Sequence, residues 1–276
     1  MIYKDFIYIK PNDLEEAYNI YKDYSEKGKK VYYYSGGTEI LTFSRKGIIE
    51  PDVLIDLKNI KDCKDFYFED DNLVIGSVLP LNTIVDSNYS KILSKSLKFI
   101  ADHTVRNRIT IGGNILGQLP FREAILPLLC LDANLKIFTD NVLKDFEINK
   151  IFDKNLKLNK GDILVQILIK KEFLNYDFYY DRKVFYTKVD YPILSTLFVK
   201  FSDKLRMAIT GAFNFPLRSF DAENILNDNN LKKDEKIERL IDFLFPLFKS
   251  DLRSSKEYRI HLFKTILLST LNHFGG

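Results

Sequence analysis

Sulfur and imidazole are scarce in this chain of 276 residues, which has two cysteines, Cys63 and Cys130, and three histidines, His103, His261 and His273. The cysteines lie in different segments with no partner at ligand spacing. A disulfide framework, a zinc site and an iron–sulfur cluster within this chain are therefore unsupported. None of the histidines belongs to an arrangement of nucleophile, base and orienting acid, so hydrolytic catalysis has no support either. A block of like charge is also missing. Lys and Arg total 41 against 38 Asp and Glu, a net of +3, with the signs interleaved, so nucleic acid is not an indicated partner. No segment approaches about 18 uninterrupted apolar residues. The N-terminal MIYKDFIYIKPNDLEE has no apolar signal region. The chain reads as cytoplasmic, without a membrane partner. Internal repeats and low-complexity tracts are absent.

What is there is the material of a folded protein. Hydrophobic residues make up 46% of the chain, with 22 Phe and 16 Tyr. The length exceeds the usual single domain of about 100–200 residues, which favours two or three subdomains. Phe6 to Ile9 reads as a strand. Asn12 with Glu15 three residues on reads as a capping box for a helix whose apolar face is Leu14, Ala17, Tyr18 and Tyr21. Gly28 ends that helix, and Val31 to Tyr34 is the next strand. A short helix then runs to about Gly47, before the strand Val53 to Leu57. Phe66 to Glu69 and Leu73 to Gly76 form a hairpin across Asp70-Asp71-Asn72. Tyr89, Leu93, Leu97 and Ile100 recur at helical spacing. Leu135 to Thr139, Asp162 to Lys170, Ile193 to Phe201 and Leu205 to Thr210 are strand candidates. The C-terminal part is helical, with Asp221 and Ser255 as caps and an apolar stripe of Ile237, Leu240, Ile241, Leu244 and Phe245.

Two glycine pairs carry the chemistry. Ser35-Gly36-Gly37-Thr38 follows the strand Val31 to Tyr34, at the carboxyl end where α/β units bind ligands. Gly112-Gly113-Asn114 follows the alternating run Arg108 to Ile111. Each stretch has two readings, a tight turn between elements or a cradle of main-chain N–H groups for an anionic ligand. Neither pair has the G-x-G-x-x-G spacing of a dinucleotide fingerprint or the lysine of a Walker A loop.

The order and spacing of the motifs carry a family resemblance. Y-Y-S-G-G-T-E-I at 33–40, P-D-V-L-I-D-L at 51–57, L-V-I-G at 73–76, R-N-R-I-T-I-G-G-N-I at 106–115 and S-D-L-R-S-S-K-E-Y-R at 250–259 resemble the FAD-binding subunit of the molybdenum hydroxylases, such as xanthine dehydrogenase and the medium subunit of aerobic carbon monoxide dehydrogenase. The resemblance implies an α+β fold of the vanillyl-alcohol-oxidase/MurB (PCMH) type. Two subdomains, 1–58 and 59–172, would clasp FAD, and a sheet-and-helix subdomain, 173–276, would pack alongside. It also implies that Tyr33, Tyr34, Ser35, Gly36, Gly37, Thr38, Glu39 and Ile40 wrap the FAD diphosphate, and that Thr110, Ile111, Gly112, Gly113 and Asn114 approach the cofactor. Glu123 stands where similar proteins have Asp, Leu164 matches a position whose backbone meets the cofactor, and Lys183 matches a basic residue near the flavin. The stretch Gly117-Gln118-Leu119-Pro120 departs from the family's pattern, and Arg122 either pairs with Glu123 or faces solvent. Tyr191 either flanks the flavin or packs in the core.

The function so implied is electron transfer through FAD. Electrons would come from [2Fe-2S] clusters on a small subunit, fed by a molybdenum-cofactor large subunit, and go to NAD+ or another acceptor. No catalytic side chain and no metal ligand is expected of this chain, because a flavin does its own chemistry. Two alternatives stand beside it, a scaffold subunit of the same fold that has lost FAD and a stand-alone NAD(P)H-flavin oxidoreductase.

Overall fold

The computed structural model describes residue 2 and residues 4–275. The chain forms two compact units, each assembled from separated segments. One comprises Met1–Ser87, His103–Gly117 and Asp132–Lys171, the other Asn88–Asp102, Gln118–Leu131 and Glu172–Gly276. The segments alternate, so the chain passes between units several times.

The first unit begins with three parallel strands, Ile7–Ile9, Val31–Tyr34 and Val53–Asp56, in the order first, third, second. Val53–Asp56 is central and buried throughout, as a strand covered on both faces must be. The helix Leu14–Glu26 connects the first two, burying Leu14 and Ala17 against Val31, Val53 and Ile55. Its cap is Asp13, whose side chain accepts from the Glu16 N–H, one residue later than the expected Asn12. Both residue types cap well, and here Asn12 donates its own N–H to the Glu16 carboxylate. Five antiparallel strands follow, with Phe66–Glu69, Asn72–Gly76, Ile163–Lys170, Asn134–Thr139 and Val142–Glu147 as neighbours in that order. The last of these is an exposed strand that the sequence pattern did not suggest, because it lacks a buried face.

In the second unit four antiparallel strands, Phe178–Val184, Pro192–Phe201, Lys204–Thr210 and Leu217–Arg218, pack against the helices Phe220–Leu226, Lys233–Leu244 and Lys256–His273. Each fully buried aromatic here, such as Phe198, Phe213 and Phe263, contributes about 1.5–3 kcal/mol. Ser219, not Asp221, caps the first of these helices, and Ser255 caps the last as expected. The S-D-L-R-S-S-K-E-Y-R stretch is a knot within this unit. The fully buried Arg259 guanidinium donates to the carbonyls of Ile193 (2.5 Å) and Gly211 (2.6 Å) and to Asp251 (2.6 Å). Among the described residues no helix is long and apolar enough to cross a membrane.

Candidate functional site

The carboxyl ends of the parallel strands and the two glycine pairs lie together in the first unit. Ser35 Oγ and Thr110 Oγ1 are 2.9 Å apart, which joins the stretches across 75 positions of sequence. A methyl group added at Gly36 would overlap the Arg108 carbonyl oxygen, so only glycine lets the two backbones meet. Gly37 adopts the left-handed region, with φ 70°, and caps the helix Thr38–Arg45 without any side-chain hydrogen bond. A Cβ there would also collide with the hydroxyl end of the Tyr34 ring.

The second pair is not the turn between strands that the alternation of Arg108 to Ile111 suggests. Thr110 makes one bridge to Pro80, then caps the helix Ile111–Leu116, and the glycines lie in its first turn. Neither Gly112 nor Gly113 has a positive φ. A Cβ on Gly112 would come within 2.7 Å of the Ser77 carbonyl oxygen, so close packing and not backbone freedom demands glycine there. The three N–H groups expected to form a donor nest already have partners in the protein. Gly112 donates to the Ser77 carbonyl (2.8 Å), Gly113 to Thr110 Oγ1 (3.2 Å) and Asn114 to the Thr110 carbonyl (2.9 Å).

The first pair differs. Among the described residues the Gly36 and Gly37 N–H groups have no hydrogen-bond partner in the protein. They adjoin the first turn of Thr38–Arg45, whose leading N–H groups have no carbonyl one turn back and whose dipole presents its positive end. Ser35, Gly36, Gly37, Thr38, Glu39 and Ile40 are all partly exposed. The arrangement suits an anionic group bound by main-chain donors, which is the fit a diphosphate requires.

Of the remaining candidates, Tyr33 stacks on Tyr21 (5.0 Å between centroids) and donates to the Gly161 carbonyl at 2.8 Å. Leu164 is buried, pairs with Ile137, and begins a register shift that ends at Gln166. Glu123 and Lys183 belong to the second unit. Glu123 is buried and held by Arg182 through Nε (2.7 Å) and Nη2 (3.2 Å). Burial pushes its carboxyl upward, with the Arg182 guanidinium working against this. The solvent-facing alternative for Arg122 fails, because that residue is 5% exposed. Lys183 is partly exposed and pairs with Asp181 at 2.9 Å. Tyr191 is no core residue, being 45% exposed and stacked on Phe121 at 4.8 Å.

Three residues outside those expected from sequence, Lys58, Asp56 and Tyr8, lie beside the first glycine turn. Lys58 Nζ donates to the Ser35 carbonyl (2.9 Å) and pairs with Asp56 (2.8 Å), and the Tyr8 hydroxyl donates to the same carboxylate. Burial alone would raise the Asp56 carboxyl. The hydrogen bonds from Lys58 and Tyr8 outweigh this and hold it below the usual range. The only signal was Asp56 itself, inside the quoted P-D-V-L-I-D-L. Cys63 is buried in the first unit, and burial pushes its thiol up to about 12, which leaves it inert.

Fold and site thus define a mixed helix-and-sheet protein whose first glycine turn leaves main-chain N–H groups without a protein partner. Residues 4–170 match the family described as the FAD binding domain in molybdopterin dehydrogenase. The chain belongs to this family, which makes FAD its cofactor and puts it among oxidoreductase subunits. It is 30% identical over 175 residues to the carbon monoxide dehydrogenase medium chain of Hydrogenophaga pseudoflava, covering 61% of this chain and 60% of that one. It is 24% identical to the nicotine 6-hydroxylase medium subunit of Paenarthrobacter nicotinovorans, over 98% of this chain and 97% of the relative. The nicotinate dehydrogenase FAD-subunit of Eubacterium barkeri is 23% identical, with 59% of its length spanned. In fold, the chain superposes on carbon monoxide dehydrogenase from Hydrogenophaga pseudoflava with a TM-score of 0.86, covering 99% of this chain and 98% of the other at 22% identity. For quinoline 2-oxidoreductase from Pseudomonas putida 86 the TM-score is 0.85 at 19% identity, with the same coverage.

Proposed function

We propose that this chain is the FAD-carrying medium subunit of a molybdenum hydroxylase and that electrons pass through it from partner subunits to a terminal acceptor. In this reading a molybdenum-cofactor large subunit oxidises the substrate, [2Fe-2S] clusters of a small subunit relay the electrons, and NAD+ or another acceptor takes them from this chain. The observation that carries the reading is the pair of unengaged N–H groups at Gly36 and Gly37, beside a helix N-terminus with no side-chain cap. These groups hold the diphosphate, and Ser35 and Thr110 lock the two stretches around it. Thr38, Glu39 and Ile40 supply the helix N-terminus, and Gly112 and Gly113 allow the second stretch to lie against it. The bound flavin supplies hydride and single-electron transfer, which the side chains of this chain do not offer.

Names of full-length relatives as medium subunits or chains support the subunit assignment. The PCMH-type arrangement, with 1–58 and 59–172 as the clasping subdomains and 173–276 as the third, is proposed on the same ground. Leu164, Glu123 and Lys183 enter as cofactor contacts on the resemblance alone. Glu123 is held ready by Arg182, and Lys183 by Asp181.

The test is direct. Purified chain incubated with FAD should turn yellow and retain stoichiometric flavin through gel filtration. Co-purification from the native source should bring molybdenum, iron and two further chains. A colourless chain with no measurable FAD affinity would sink the reading. Flavin binding with full NAD(P)H turnover by the isolated chain would replace it with the stand-alone oxidoreductase.

A further inference from the structure

We propose that Lys58 is a positioning residue for the cofactor, turning the Gly36 N–H into the diphosphate cradle by holding the Ser35 carbonyl from the opposite side. The inference rests on the FAD reading above and adds a residue to it.

The argument starts from the peptide unit. The described residues contain no cis peptide bond, so the Ser35 carbonyl and the Gly36 N–H point in opposite directions across one rigid plane. Whatever fixes the carbonyl fixes the donor. Lys58 Nζ lies 2.9 Å from Ser35 O, 2.8 Å from Asp56 Oδ2 and 4.5 Å from the centroid of the Tyr34 ring. The ammonium thus has three defined neighbours, although the Lys58 side chain is itself exposed. Asp56 is 1% exposed and its other oxygen accepts the Lys58 main-chain N–H at 3.0 Å, so the anchor is a single turn of chain bonded twice to one carboxylate. The Tyr8 hydroxyl completes that carboxylate's shell.

Backbone register explains why this happens here. Tyr34 pairs with Asp56 in adjacent parallel strands, so Ser35 and Lys58 leave the sheet side by side at its carboxyl edge. The Gly36 Cα also packs closely against the Arg108 carbonyl, where a Cβ would overlap it. A flip that presented the carbonyl oxygen to an anion would have to break the bond from Lys58. A flipped peptide would replace an attractive dipole by a repulsive one.

The test compares the full chain with K58M and K58R. FAD dissociation constants come from quenching of flavin fluorescence, and thermal melts are recorded on chain freed of cofactor. The expected result is a rise of about tenfold in the K58M constant, the size of one lost charge-assisted contact. The cofactor-free melt of K58M should fall slightly, because the buried Asp56 carboxylate loses its cation, while K58R should restore both the melt and most of the affinity. Unchanged FAD affinity in K58M overturns the proposal, as does a loss of affinity that tracks a lower melt and is not recovered by K58R. Absence of FAD binding by the unaltered chain would instead overturn the cofactor assignment on which it rests.

Discussion

The two glycine pairs look alike on paper and do different work. At Gly36-Gly37 the main-chain N–H groups have no protein partner, and they sit beside an uncapped helix end. At Gly112-Gly113 the corresponding N–H groups are taken up by Ser77 and Thr110. In the proposed function the first pair donates to the ligand, and the second is a buttress that packs against Ser77. Paired glycines therefore mark a close approach of backbone, and only the hydrogen-bond accounting tells whether the approaching group is a ligand or the protein itself.

Substitution separates the two roles. Gly36→Ala should have the largest effect, because its methyl meets a backbone carbonyl that cannot turn aside. We expect a loss of about 3 kcal/mol in urea unfolding together with the loss of retained flavin absorbance. Gly112→Ala should cost about 2 kcal/mol through the contact with Ser77, while chain that remains folded still binds FAD. If Gly112→Ala abolished FAD binding at unchanged stability, the distinction between donor and buttress would be wrong. Thr110→Val removes a helix cap and the bond to Ser35 and should cost about 1 kcal/mol by the same measurement.

The smallest expected effect concerns pH. The Asp56 carboxyl titrates below its ordinary value in the folded chain, so the unfolded chain binds its proton first. The stability this group contributes is complete above about pH 4 and is lost as the pH falls through the depressed folded value. Asp56→Asn should accordingly be less stable at neutral pH, with a difference from the unaltered chain that narrows in acid. A difference that stays constant from pH 7 to about pH 3 would remove Asp56 and its partners Lys58 and Tyr8 from the account.

Much of the chain was legible locally. The helix from Leu14, the central strand from Val53 and the capped C-terminal helix from Lys256 each follow from apolar periodicity and a neighbouring cap residue. Where two cap-competent residues stand close together, as at Asn12 and Asp13 or Ser219 and Asp221, local pattern does not choose between them. The strand Val142–Glu147 escaped because its residues are exposed or only partly buried, leaving no alternation to read. The site divides in the same way. The glycine pairs could be located from the chain alone, but Ser77, which demands glycine at 112, is 35 positions away from it. Arg182 is 59 positions from Glu123, and Lys58 reaches Ser35 across 23.

Composition and periodicity determined that this protein folds as helices and sheets and carries two stretches built for close backbone approach. Tertiary structure alone decided which of those stretches leaves its N–H groups without a protein partner. The reason is physical: an N–H group's partner is set by what lies within 3 Å in space, and that neighbour is supplied by chain far away in sequence.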